Sequence, residues 1–175
     1  MQVVPATPAD LAAIRSAYAD GRARQRETRS PVWPEFTDSA ILSEINSGYL
    51  FRVVDESALV GVFSAVPEDE AIWGELERSA HIYLHRIARA SSYPGGGLVD
   101  AILTWAITHC ETLGLEGLRM DTWGSNDVLI EYYGKRGFSL VGKRQIPTDS
   151  PLSVHYRGIE LALLERKLKR EQQHT

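Results

Sequence analysis

The sequence offers little that would tie it to a disulfide framework, a membrane or a nucleic acid. Cys110 is the one cysteine among 175 residues, so no intramolecular disulfide can form and a reducing compartment is expected. No run is apolar enough to span a bilayer, and the opening Met-Gln-Val-Val-Pro is unlike a signal peptide. The formal net charge of −4 argues against nucleic-acid binding, which needs a basic face. We therefore expect a cytoplasmic protein with neither a membrane nor a nucleic-acid partner.

The remaining composition, 43% hydrophobic and 24% charged, is typical of a soluble globular protein. Hydrophobic periodicity and turn residues predict the element order β-α-α-β-β-β-α-β-α-β-β, with a polar loop or broken helix over 20–36 and an irregular acidic segment over 67–79. The last two strands are predicted at 138–146 and 156–164. We expect a single domain over 1–165 and a charged tail over 166–175 that frays.

Three consecutive glycines, Gly95, Gly96 and Gly97, separate a strand-like run at 81–90 from a helical pattern that begins at Leu98. Glycine lets a backbone N–H approach a ligand, and a helix start carries partial positive charge. Strand, glycine turn and helix together favour a phosphate or pyrophosphate site over a plain connecting turn. Neither familiar nucleotide loop fits, because the Lys-Ser/Thr of a Walker loop and the spacing of a dinucleotide fingerprint are both absent.

Three segments in order resemble the GNAT superfamily of acyl-CoA-dependent N-acyltransferases. The first is 85–99, which runs from His-Arg-Ile-Ala through the glycine turn to Leu98 and Val99. The second is Leu-Arg-Met-Asp-Thr at 118–122, followed by Asn126. The third is Tyr-Gly-Lys-Arg-Gly-Phe at 133–138, similar to the family's closing Tyr-x-x-x-Gly-Phe pattern.

This resemblance implies an α/β fold: a twisted mixed sheet of about seven strands, mostly antiparallel with a central parallel pair, and helices on both faces. It also implies acetyl-CoA as co-substrate, no metal, and acetyl transfer to a primary amine of a small molecule or peptide. A homodimer through the late strands is common in the family. The implied cofactor-binding residues are Ile87, Ala88, Arg89, Gly95, Gly96, Gly97, Leu98, Val99, Asn126 and Tyr133.

One departure concerns the glycine loop. The family's basic or amide lead residue falls on Pro94, and its last small residue falls on Val99. Phosphate binding would then depend on backbone amides and the helix dipole. Tyr93 and Arg89 are candidates for a compensating contact.

The catalytic residues implied by the resemblance are Tyr133 and His85. Tyr133 is similar to the family's general acid, and a phenol is protonated at neutral pH. His85 is a candidate general base because its pKa lies near neutrality, although a structural role is as plausible. His81, Glu75 and Glu77 are comparable candidates for the base.

Two other functions stay open at this point. The chain could be a non-catalytic acyl-CoA sensor or interaction module on the same fold, which the altered glycine loop favours. It could also be a nucleotide-binding protein, against which the missing Walker residues argue. Trp33, Trp73 and Trp123 are candidates for lining an acceptor pocket, and Cys110 is best explained by helix packing.

Overall fold

The computed structural model describes residues 1–28 and 30–168, which form seven strands and five α-helices. The strands are β1 (Gln2–Pro5), β2 (Leu50–Asp55), β3 (Ala58–Val66), β4 (His81–Arg89), β5 (Gly117–Trp123), β6 (Ser139–Gln145) and β7 (Glu160–Lys167). The helices are α1 (Leu11–Glu27), α2 (Asp38–Asn46), α3 (Glu70–Trp73), α4 (Leu98–Leu113) and α5 (Asp127–Gly134).

All seven strands belong to one mixed sheet with the order β1-β2-β3-β4-β5-β7-β6. β4 and β5 are parallel, with His81 to Tyr83 opposite Gly117 to Arg119. The pairs β1–β2, β2–β3, β5–β7 and β6–β7 are antiparallel. The crossover helix α4 joins the parallel pair, as a strand–helix–strand connection requires. The predicted fold class is confirmed.

The chain divides into two compact units. Unit 1 comprises residues 1–66 and 84–105, and unit 2 comprises residues 67–83 and those from 106 onward. β4 and α4 each contribute to both units. The core of unit 1 joins α1, α2, β2, β3 and the end of β4, with buried side chains that include Ile14, Tyr18, Ile41, Val62 and Ala88.

The core of unit 2 is built from α3, β5, β7 and the segment before β7. Its almost fully buried side chains include Trp73, Leu118, Ile146 and Leu163. No helix among the described residues combines the length and apolar character needed to cross a membrane.

The first helix is longer than the sequence predicts. The segment 20–27, expected to be part of a loop or broken helix, continues α1 without a break to Glu27. Hydrogen bonds to distant backbone hold this polar stretch: the Arg24 guanidinium donates to the Arg89 carbonyl at 2.8 Å, and the Asp20 carboxylate accepts from the Ser91 amide at 2.7 Å. Sequence periodicity does not reveal such contacts.

Two further expectations need correction. The acidic segment 67–79 contains α3 and a 3-10 turn at Gly74–Leu76. The last strand begins at Glu160, because Val154–Tyr156 forms a 3-10 turn, and it continues to Lys167, past the predicted start of the tail. The prediction that the tail frays falls on 169–175, which lie outside the described residues.

Candidate active site

The glycine turn lies between β4 and α4, as predicted. Gly97 adopts φ +86, a conformation that side-chain-bearing residues rarely take, and α4 begins at the next residue. A Cβ atom added at Gly96 would meet no described atom within 4 Å. The main chain at Gly96 is therefore uncovered just before a 16-residue helix, where N–H groups and the helix dipole favour an anion.

Side chains on both sides of the turn hold it in place. The Tyr93 hydroxyl donates to Oδ2 of Asp55 at 2.8 Å, and this bond raises the pKa of the phenol. The exposed Arg89 guanidinium donates to the Gly95 carbonyl at 3.3 Å. Of the two candidates for a compensating contact, Tyr93 is thus engaged with the β2–β3 turn, while Arg89 places a positive charge at the glycine turn.

Gly61 on β3 allows the end of β4 to approach closely. A Cβ at this position would lie 2.5 Å from the Ala88 carbonyl oxygen and 2.7 Å from a methyl carbon of Leu98. Only glycine fits without moving the last residues of β4 or the first of α4. The sequence analysis did not single out Gly61, although a glycine inside a strand is a signal of close backbone approach.

The middle of β4 departs from regular strand geometry at Arg86, which has φ +50. His85 and Ile87 on either side are half-buried, and Ala88 is buried. Positive φ at a non-glycine residue inside a strand is uncommon. Nothing in the local sequence marks this position, so the sequence analysis missed it.

The Arg86 side chain joins a polar cluster in unit 1. Its guanidinium pairs with Glu44 on α2 and donates to the Ser64 hydroxyl on β3 at 3.2 Å. The Ser64 hydroxyl in turn donates to Glu44 at 2.9 Å. The guanidinium also lies 5.1 Å from the centre of the Phe36 ring, and burial raises the pKa of the neighbouring Tyr18 to about 12.

A pocket opens beside this cluster, between α1, α2 and the segment that joins them. Its lining residues are Arg15, Tyr18, Arg22, Glu35, Phe36 and Ile41. Arg15 also pairs with Asp38 at 3.2 Å. Trp33, a predicted pocket residue, instead packs its ring against Tyr18 and Phe36 at centroid distances of 6.3 Å.

In unit 2, α5 carries the two remaining predicted residues. Asn126 caps the helix, because its Oδ1 accepts from the Leu129 amide at 3.1 Å. Tyr133 lies seven residues further on, which places it two turns later on the same side of the helix as Asn126. Its ring makes edge contacts with Tyr132 and Phe138 at centroid distances of 5.3 and 5.7 Å.

Tyr133 is 8% exposed, and burial raises the pKa of its phenol well above the ordinary value of 10. Tyr132 adds to the shift and the Arg136 guanidinium opposes it. The hydroxyl therefore stays protonated throughout the physiological pH range and is a weak acid.

His81, one of the alternative bases, lies in a buried network of unit 2. Its Nε2 is 3.3 Å from Glu165, which also accepts two hydrogen bonds from Arg119 at 3.0 and 2.8 Å. Arg119 stacks over Trp73 at 4.4 Å and donates to the Tyr83 hydroxyl at 2.9 Å. Burial first, and then the charge of Arg119, lower the pKa of His81. These contacts give His81 and Trp73 a structural role.

Cys110 packs inside α4, as the sequence indicates. Its thiol is buried and donates to the Gly117 carbonyl at 3.3 Å. Burial raises the pKa of the thiol to about 11. A cysteine in this environment is a thiol at neutral pH and a poor nucleophile.

The predicted residues thus fall into two groups. The first group lies in unit 1 and within one continuous stretch of the chain. It comprises His85, the end of β4 at 87–89, and the turn and helix start at 95–99. Unit 2 holds Asn126 and Tyr133 on α5. The assignment of each residue to binding or catalysis stays a prediction.

The fold of this chain is similar to the folds of several solved protein structures. Among solved structures, a GNAT-family acetyltransferase from Listeria monocytogenes 4b F2365 matches with a TM-score of 0.74, at 22% identity over 95% of this chain and 94% of that one. The structure of yncA from Salmonella typhimurium, solved with its cofactor acetyl-CoA, matches with a TM-score of 0.66, at 15% identity over 100% and 98% of the chains. At these identities the likeness concerns the fold.

In sequence, an uncharacterized N-acetyltransferase, YesJ of Bacillus subtilis (strain 168), is 28% identical over 106 residues. That match covers 58% of this chain and 59% of the length of the relative. The model of the acetyltransferase (GNAT) family matches residues 13–138, which include the segment from His85 to Val99 and the stretch from Asn126 to Phe138. The chain therefore belongs to the acetyltransferase (GNAT) family, a family of N-acetyltransferases.

Proposed function

We propose that this protein transfers an acetyl group from acetyl-CoA to a primary amine of a small molecule or peptide. The observation that carries the proposal is the glycine turn between β4 and α4, in which the surroundings of Gly96 are open and Gly97 adopts φ +86. Backbone amides at this place suit the diphosphate of coenzyme A.

Residues of unit 1 fit this ligand. The open main chain at Gly96 leaves room for a diphosphate, and Arg89 supplies a positive charge at the turn, where Pro94 replaces the family's basic or amide lead residue. Leu98 and Val99 begin the helix whose dipole faces the anion. The backbone of 87–89 would pair with the extended pantetheine arm as an added strand does.

The chemistry needs no protein nucleophile. The amine nitrogen forms a bond to the thioester carbonyl carbon, and the carbon–sulfur bond breaks to give an amide and a free thiol. A backbone N–H from 87–89 would donate to the carbonyl oxygen as negative charge develops there. Two protons move: one leaves the amine nitrogen, and one reaches the sulfur.

Tyr133 is the proposed donor of the proton to sulfur. Its raised pKa keeps the hydroxyl protonated until the carbon–sulfur bond breaks, when a thiolate with a conjugate acid near 8.5 would form. His85, half-buried next to Arg86 on β4, is the proposed base that takes the proton from the amine, directly or through a water. Asn126, which caps the helix that carries Tyr133, is a proposed cofactor-binding residue.

The small cleft between α1 and α2 is proposed as one wall of the acceptor site in unit 1. Its lining combines aromatic and aliphatic surface from Phe36 and Ile41 with charged groups of both signs from Arg15, Arg22 and Glu35. Such a lining suits an acceptor that carries a polar group beside an apolar part.

The test is thiol release from acetyl-CoA across a panel of amines, which includes polyamines, amino acids and peptides with free amino termini. We expect at least one amine to raise thiol release clearly above the hydrolysis measured without acceptor, with the acetylated amine identified by mass spectrometry. Tight binding of acetyl-CoA with no turnover on any amine would instead favour a non-catalytic acyl-CoA sensor.

A further inference from the structure

The left-handed conformation of Arg86 needs an explanation because nothing local favours it. Arg86 lies in the middle of β4, has φ +50 and bears a long side chain. The backbone around an L-residue with positive φ is sterically disfavoured, and only glycine adopts it freely. Contacts elsewhere must therefore stabilise this residue.

Those contacts come from the side chain. The guanidinium binds Glu44 on α2 and the Ser64 hydroxyl on β3, and Ser64 and Glu44 are themselves hydrogen-bonded at 2.9 Å. Ser64 is fully buried, while the side chains of Arg86 and Glu44 are 22% and 24% exposed. Charge-assisted hydrogen bonds in a partly buried place are stronger than surface pairs. The head of the side chain is thus held between two elements of the unit 1 core.

A residue in this conformation changes the direction of the following backbone. The backbone torsions of Arg86 set the orientation of the peptide plane between residues 86 and 87, and therefore the direction of the Ile87 N–H. With Arg86 at φ +50, this N–H no longer points as it does in a regular strand. The Ile87 N–H belongs to the segment from which the proposed function draws its donor to the thioester oxygen.

We propose that the Glu44–Ser64–Arg86 cluster is a clamp that holds Arg86 in its left-handed conformation within β4, and that Arg86 is thereby a positioning residue for the Ile87 amide. The catalytic part of this inference rests on the proposed function. The conformational part stands on the geometry of unit 1 alone, and the two can be tested separately.

The conformational part predicts that the glycine variant at position 86 is more stable than the alanine variant, the reverse of the usual order in a strand. Arg86→Gly and Arg86→Ala both remove the clamp, but glycine accepts φ +50 without strain and alanine does not. The midpoint of thermal unfolding should be about 2–4 °C higher for Arg86→Gly than for Arg86→Ala. The matched control is Arg52 on β2, a strand arginine paired with Asp10 at 2.9 Å and outside the proposed site. There Ala should be the more stable replacement, since glycine weakens an ordinary strand.

A double-mutant cycle tests the clamp itself. Glu44→Gln should lower the unfolding midpoint of the wild-type chain but change it little in the Arg86→Gly background, because the partner is already gone. Equal effects of Glu44→Gln in the two backgrounds would overturn the clamp, as would Ala being more stable than Gly at position 86.

Kinetics test the positioning role. With the best amine of the panel, Arg86→Ala should lower kcat about tenfold and Arg86→Val about a hundredfold, since β-branched residues avoid positive φ. Arg86→Gly should lose less than Arg86→Ala, and the KM for acetyl-CoA should change less than about threefold throughout, because the diphosphate binds at the glycine turn. Equal kcat values for the three variants would overturn the positioning role.

A wild-type protein that neither binds coenzyme A nor releases thiol would refute the proposed function, while the unfolding series would still decide the clamp.

Discussion

At the scale of single residues, the most informative side chain is Tyr133. It is 8% exposed, stacks edge-on against Tyr132 and Phe138, and burial raises the pKa of its phenol. An acid this weak does not lose its proton in the resting enzyme. Because the departing thiolate is a weaker base than this phenolate, the proposed proton transfer requires the hydroxyl to lie within hydrogen-bond distance of the sulfur as the carbon–sulfur bond breaks.

Tyr133→Phe keeps the ring and removes the hydroxyl. We expect kcat to fall by about a hundredfold or more, the usual contribution of a general acid, with the KM for acetyl-CoA changed less than about threefold. Tyr132→Phe is the matched control, because Tyr132 is the neighbouring tyrosine on α5. Its ring is half-buried and lies 3.8 Å from the Arg136 guanidinium. Steady-state thiol release measures both, and equal kcat values for the two variants would remove Tyr133 from the mechanism.

Sequence patterns at this scale locate a residue where the pattern is local. Asn126 and Tyr133 lie at the cap and near the end of one predicted helix, although their roles stay predictions. Cys110 is marked as a core residue by its place in the apolar stripe of α4, and it is buried. Arg86 gave no such signal, because its conformation depends on Glu44 and Ser64, which are 42 and 22 residues away in sequence. Local patterns cannot report contacts of that kind.

At the scale of elements, α4 is bounded by two glycines with positive φ: Gly97 at +86 before the helix and Gly114 at +68 after it. Both positions require a backbone with positive φ, but they differ in their surroundings. Gly97 belongs to the proposed diphosphate turn, where an added Cβ atom would lie 3.4 Å from the Met1 side chain, whereas a Cβ atom added at Gly114 would meet no described atom within 4 Å.

This symmetry gives a controlled test of the turn. Gly97→Ala and Gly114→Ala should both lower the midpoint of thermal unfolding, because alanine is strained at positive φ. Gly97→Ala should also weaken coenzyme A binding about tenfold, while Gly114→Ala leaves the dissociation constant unchanged. Isothermal titration of both variants measures the difference, and an equal loss of affinity would show that the turn has no special role.

The start of α5 offers a second test. Asn126→Ala removes the cap on the Leu129 amide and should cost about 1 kcal/mol of stability, whereas Asn126→Asp retains an accepting oxygen and should cost much less. Urea unfolding followed by circular dichroism gives both values. If the Ala and Asp variants are equally destabilised, the cap observed at Asn126 does not stabilise the helix.

Elements were largely predictable because caps, periodicity and glycines mark their ends. Thr37 caps α2, Gly97 precedes α4 and Gly114 follows it, as the sequence indicates. The errors occur where tertiary contacts override local pattern. The polar end of α1 is held by hydrogen bonds of Arg24 to Arg89 at the end of β4 and of Asp20 to Ser91 just after it. A 3-10 turn at Val154–Tyr156 precedes β7, which begins later than predicted.

At the scale of the whole molecule, stability should depend on pH through the buried network of unit 2. The pKa of His81 is lowered by burial and by Arg119, against opposing contributions from the Arg78 carbonyl, Glu165 and Glu116. In the unfolded chain His81 takes up a proton near pH 6.5, but in the folded chain it does so only at lower pH. The unfolded state therefore binds more protons in that window, and the free energy of unfolding falls as the pH drops below about 6.5.

His81→Gln removes this titration and should flatten the dependence of stability on pH between about 7.5 and 5. Urea unfolding at three pH values measures the free energies. If His81→Gln and wild type keep the same slope, other groups cause the acid sensitivity.

The central claim is that the glycine turn before α4 grips a diphosphate, and one calorimetric experiment tests it most directly. Coenzyme A and pantetheine, which lacks the diphosphate and nucleotide, are titrated separately into the full chain. We predict saturable binding of coenzyme A and at least about tenfold weaker binding of pantetheine, since most of the affinity comes from the anion at the turn. No binding of coenzyme A, or equal affinities for the two ligands, would contradict the account.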